Sequence, residues 1–214
     1  MADTLTQLIA KVPAQVLDAG TLFTAATVTA AARQALADLN RAAPLQAAEL
    51  ITAIADQKEY ELSDADPAAL LVTDVMLEGD GDLSTELPFY SFIQDGRVFF
   101  RLREPQLAGE DLLVHYAKPH TISGLDSSLD STLTDQLNTA IIDGICAYCC
   151  LTRASSTVES NNVQTGVSAN WLKAASAWQS SFNRLLKAAS RERTPHGDSP
   201  RLTWQDDQHS DVYP

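Results

Sequence analysis

Two hydrophobic periods share this chain. From about Glu49 to Thr121 apolar and polar residues alternate in short runs bounded by turn residues, the two-residue period of half-buried strands. On either side of that stretch apolar positions recur at steps of three and four, as in helices that bury one face. The strand pattern predicts Leu50 to Ile54, Glu59 to Leu62, Leu70 to Leu77, Phe89 to Ile93, Arg97 to Leu102 and Asp111 to Tyr116. Asp95-Gly96, set between FYSFIQ and RVFFRL, is a strong hairpin signal because both central positions tolerate positive φ. In LLVHYAKPHTISGLD, Leu112 to Asp126, Val114 and Tyr116 alternate with His115 and Ala117, and Pro119 has no N–H to offer, so strand pairing stops there.

The helical period predicts four helices. A short one runs from about Thr4, a good N-cap, to Val12 and is closed by Pro13; a longer alanine-rich one spans about Thr21 to Arg41, with Pro44 beyond it. From Leu129 a stripe of Leu133, Leu137, Ile141, Ile145 and Cys149 marks a helix over about Ser131 to Ala154. The last, about Ser168 to Arg193, carries Trp171, Ala175, Trp178, Phe182, Leu185 and Ala189 on one face. Lys173, Arg184, Lys187 and Arg191 lie on the other, weighted toward the C-terminal end as the helix dipole favours.

These elements make an α+β protein: a helical bundle with long C-terminal helices and an inserted small antiparallel β-module of sandwich or rolled-sheet type. The expected division is residues 1–48 and 122–194 for the helical domain, 49–121 for the β-module and 195–214 for an extended tail. With 214 residues and 45% hydrophobic content the chain is long enough to bury a core. No apolar run approaches the roughly 20 residues that span a bilayer, and MADTLTQLIAKV lacks the basic start and apolar core of a signal peptide. A cytosolic site of synthesis is therefore expected, with no membrane partner.

The formal net charge of −13 argues against binding nucleic acid through the whole surface. Its distribution is uneven. Residues 51–125 hold fourteen acids and five bases, whereas residues 161–195 hold one acid and five bases, so the last helix is basic inside an acidic protein and favours docking against an acidic neighbour.

Candidate chemistry is thin. Cys146, Cys149 and Cys150 share a helix face, but one turn supplies no fourth zinc ligand and free cysteines are commonly buried, so no metal is expected. The run Glu78-Gly79-Asp80-Gly81-Asp82 departs from the EF-hand spacing and reads as a solvated loop. His115 and His120 flank Lys118-Pro119 without a partner at catalytic spacing, and nucleotide-binding, zinc-protease and hydrolase signatures are lacking. Neither enzyme activity nor a cofactor is expected. Beyond Thr194-Pro195 the sequence HGDSPRLTWQDDQHSDVYP is polar and rich in breakers, yet it holds Leu202, Trp204, Val212 and Tyr213, side chains suited to anchoring on a partner; a tail folded back on its own subunit, or left disordered, is the alternative.

In order and character of its elements the sequence resembles the head-tail connector adaptor proteins of tailed bacteriophages. The likeness is carried by EYELSDADPAALLVTDVMLEG, the hairpin FIQDGRVFFRL and PQLAGEDLLVHYAKPH, followed by two long helices and a tail. What the resemblance implies is a structural virion protein of the neck, forming a homo-oligomeric ring, usually of twelve subunits, beneath the portal protein. C-terminal segments of such adaptors reach into the portal, the lower face receives the next neck or tail protein, and genomic DNA passes through the lumen without specific binding. Carried onto this chain, portal docking falls to Leu202, Trp204, Val212 and Tyr213, with Arg184, Lys187, Arg191 and Arg193 as electrostatic contacts. The alternatives are another neck or tail-completion ring protein and a carbohydrate-binding module using Phe89, Tyr90, Phe92, Phe99 and Phe100.

Overall fold

The computed structural model describes residues 2–16, 22–62, 69–78, 85–159 and 167–192. Helix α1 covers Leu5–Gln15 and α2 Ala25–Ala42; α3, Asp135–Glu159, and α4, Val167–Glu192, follow the strands. Between them come β1 (Leu45–Thr52), β2 (Glu59–Glu61), β3 (Leu71–Leu77), β4 (Thr85–Glu86), β5 (Phe89–Gln94), β6 (Arg97–Leu102) and β7 (Asp111–Lys118). The α+β class is as the two periods predict.

Thr4 caps α1 through a reciprocal box, its hydroxyl accepting from the Gln7 amide (3.3 Å) while the Gln7 side chain accepts from the Thr4 amide (2.8 Å). Pro13 does not close the helix. It sits inside the last turn, which continues to Gln15 and is sealed by the Val16 N–H on the Val12 carbonyl (3.2 Å). A proline removes one ladder bond, and burial of Leu8 and Val12 against the other helices holds the turn in place without it.

Alanines 31, 32 and 35 of α2 bring that helix close to α3, where Gly144 completes the contact. A Cβ there would stand 2.9 Å from the Ala35 Cβ and 3.1 Å from the Phe182 ring of α4, so three helices meet over a hydrogen atom. The predicted stripe Leu133, Leu137, Ile141, Ile145 and Cys149 is buried in this core. Leu129, from which that stripe is counted, is 89% exposed, and α3 begins at Asp135, four residues after the expected start at Ser131. The delay has a cause in the loop before it. The hydroxyls of Ser131 and Thr132 accept from the amides of Ser123 (3.1 Å) and Thr121 (2.9 Å), tying the segment back on itself instead of starting a helix.

The strands form two antiparallel sheets, β1-β7-β3-β4 and β2-β6-β5. Asp95 and Gly96 turn the β5–β6 hairpin with φ of +52° and +77°, the conformation their pairing predicts. β1 starts at Leu45, five residues earlier than alternation indicates, because pairing with β7 from Leu45↔Lys118 to Thr52↔Asp111 imposes strand geometry on the weakly patterned Gln46-Ala47-Ala48. β7 does end beside Pro119. The inner faces of the sheets pack together over Val75, Phe100, Leu102, Leu112 and Val114, with Tyr60 stacked on Phe100 at 5.3 Å. This cluster is separate from the helical one, and no helix packs across either sheet among the described residues.

Candidate partner-binding surfaces

Near the point where the chain enters and leaves the sheets, His120 is buried and ties both crossings. Its Nδ1 lies 3.2 Å from the Thr132 hydroxyl and its Nε2 3.2 Å from the Ala43 carbonyl, while its amide donates to the Asn40 side chain (2.7 Å). The histidine is thus a clamp between the end of α2 and the segment after β7, a structural use of a residue that spacing alone left open.

The three cysteines lie in the helical core. Burial, the main cause in each case, pushes the Cys146 and Cys149 thiols up to about 12 and the Cys150 thiol to about 11, which makes them poor nucleophiles at neutral pH. Another buried polar contact lies where the N-terminus meets α3. Burial raises the Asp3 carboxyl, but hydrogen bonds from Asn138 and Lys11, with the Lys11 charge, outweigh it and hold the group below 3.8.

On α4 the apolar residues predicted for one face pack inward, Phe182 fully buried and Trp171 in edge contact with Phe23 at 5.8 Å between centroids. Lys173, Arg184, Lys187 and Arg191 are exposed on the opposite side. At 100° per residue they fall within a sector of about 60°, and at 1.5 Å per residue they run for about 27 Å. Arg184, Lys187 and Arg191 border a shallow groove of about 530 Å³ that Ser180 and Asn183 share. None of these cations has an acidic partner among the described residues. Arg193 and the anchors Leu202, Trp204, Val212 and Tyr213 lie outside the described residues.

The sheets present two very different outer surfaces. On the three-stranded sheet Arg97 pairs with Glu61 (2.7 Å), Arg101 with Glu59 (3.5 Å), and Phe92 stacks on Phe99 at 5.6 Å. Of the five aromatics named for sugar stacking, Phe100 belongs to the core and Tyr90, 59% exposed, is bound by Arg103. On the four-stranded sheet the register sets Leu50, Leu113 and Met76 in a row across β1, β7 and β3, pointing away from the core, with Leu50 53% exposed. Beside the row stand Asp74, Asp111 and Glu86, and the outward positions of the four strands include no lysine or arginine. Asp111 accepts from the Thr52 hydroxyl (3.0 Å); the buried Oδ1 of Asp74 has no hydrogen-bond partner among the described residues. This surface was missed from sequence because the row joins residues from three strands and exists only once the register is known.

No helix among the described residues is long and apolar enough to cross a membrane. A sequence model of the SU10 adaptor protein family matches residues 3–202. Among solved structures, the chain is similar to one in the neck of an empty GTA particle computed with C6 symmetry, at 13% identity, covering 79% of this chain and 87% of that one with a TM-score of 0.32. No curated protein matches the sequence.

Proposed function

From the SU10 adaptor protein family, to which this chain belongs, we propose that the protein is a structural ring in the neck of a phage-like particle, bridging the portal protein above and the next neck or tail protein below. Family membership across nearly the whole chain is the observation that carries this reading. In it twelve copies surround a lumen through which DNA passes without specific binding. The division at residues 48, 121 and 194 gives each copy a helical body, a β-module and a tail, and no catalysis is required of any of them.

Portal docking is assigned to the tail, through Leu202, Trp204, Val212 and Tyr213, with Arg184, Lys187, Arg191 and Arg193 behind it as charged contacts. Aromatic anchors in a polar segment suit that role because they bury much area at small entropic cost. The experiment is the mass of the protein alone and mixed with the portal from the same genome, for the full chain and for one ending at Thr194. A complex that forms with the full chain and is lost on truncation is the expected result. A ring that forms while ignoring the portal would move the protein to another layer of the neck.

A further inference from the structure

Two surfaces of this chain are complementary and, among the described residues, unpartnered. One is the stripe of Lys173, Arg184, Lys187 and Arg191 along α4, all four exposed and none ion-paired among the described residues. The other is the outer face of the four-stranded sheet, where the row Leu50, Leu113 and Met76 is flanked by Asp74, Asp111 and Glu86 and meets no described helix of its own chain. An antiparallel sheet commonly leaves one face to water, but such a face is then polar; large apolar side chains with charges of a single sign mark a face that a second element covers.

We propose that the α4 stripe of one copy lies across this sheet face of a second copy. The occupant follows from charge and shape. A face lined by acids and leucines takes a basic helix whose lysine and arginine stems cover apolar surface while their heads reach carboxylates. The same chain carries such a helix, with its cations on the side opposite its buried stripe: Arg184, Lys187 and Arg191 span about 10 Å, within the roughly 14 Å between the outer strands of a four-stranded sheet, and Lys173 lies about 16 Å further along, past the sheet edge. Because the two surfaces are different regions of one chain, the contact is head-to-tail, and repetition closes a ring when the rotation permits. The inference rests on the ring reading above, adds to it the pair of surfaces that meet, and takes Arg184, Lys187 and Arg191 for the contact between copies, leaving portal docking to the tail and Arg193.

The test is zero-length carbodiimide cross-linking of the full-length protein, mixed from light and heavy isotope preparations, with the mass of the assembly measured in parallel. Mixed-isotope links from Lys173 or Lys187 to Glu86 or Asp111 are expected. Charge reversal of Arg184, Lys187 and Arg191 to Glu should raise the concentration for half-assembly by at least about 100-fold, since like charges placed together are strongly unfavourable across an interface. A second reversal, Asp111→Lys with Glu86→Lys, should restore assembly when combined with the first, and circular dichroism melting of each variant shows that it folds. An unchanged assembly mass in the α4 variant overturns this interface and leaves the ring reading standing. Salt-sensitive open chains or dimers, lost in the variant, support the interface and count against the ring. A chain that stays monomeric at all concentrations overturns both. Links from Lys187 to acids of residues 198–211 in its own copy, or retention of duplex DNA by the stripe with assembly unaffected, also overturn the proposal.

Discussion

The outer faces of the two sheets solve the same problem differently. The three-stranded sheet pairs its own charges, Arg97 with Glu61 and Arg101 with Glu59, and stacks its outward phenylalanines on each other. The four-stranded sheet keeps Leu50, Leu113 and Met76 in a row beside acids that meet no cation among the described residues. Both share an inner layer, so the contrast is not one of core quality. It separates a surface whose charges are paired within the chain from one whose acids meet no cation among the described residues.

Breaking the shared layer should erase the contrast. Phe100→Ala removes the ring stacked on Tyr60 and should cost about 3–5 kcal/mol, read as a lower urea midpoint and a loss of near-ultraviolet dichroism from the β-module. Gly144→Ala places a methyl against Ala35 and Phe182 and should cost about 1–3 kcal/mol through the helical core, leaving both sheet faces as they are. Asp74→Ala sharpens the comparison in the opposite direction. Removing a buried oxygen without a partner should stabilise the isolated chain by about 1 kcal/mol in urea titration, a gain no acid on the three-stranded sheet would give. Glu61→Ala should cost only about 0.2–1 kcal/mol and the cost should shrink in roughly 1 M salt, as expected of a pair on the surface.

The smallest effect lies outside both faces. The folded-state pKa of Asp3 lies below its unfolded value of 3.8, so its contribution is complete above that value and is lost as pH falls through the lower folded one. Asp3→Asn should therefore lower the neutral plateau of a stability curve, leave its most acidic points nearly unchanged and so flatten the acid limb below about pH 4.

Where a feature depends on neighbours in sequence, it was legible. Thr4 reads as a cap, Asp95-Gly96 as a turn, and the spacing of Trp178, Phe182 and Leu185 as a packed face whose reverse carries Arg184, Lys187 and Arg191, and each stands so in the structure. What depended on distant partners was not. Ser131 and Thr132 look like the start of a helix until their hydroxyls are seen holding amides about ten residues back. Pro13 looks like a stop because the burial of Val12 cannot be known locally. The early half of β1 has no apolar alternation of its own and becomes a strand through β7. By the same logic the outer row of the four-stranded sheet needed three strands in register, while the tail anchors named from composition lie outside the described residues.

The crossing between helices and sheets has a mechanical meaning. β1 and β7 both leave the helical body at the same end, where Leu45 faces Lys118, so a pull on the sheets loads their ladder as a zipper whose bonds break in sequence from that end. His120, joined to Ala43, Asn40 and Thr132, stands just beyond that first rung. It acts as a stop at the end of the zip, since its ring contacts to Ala43 and Thr132 and its amide bond to Asn40 lie ahead of the first rung of the ladder.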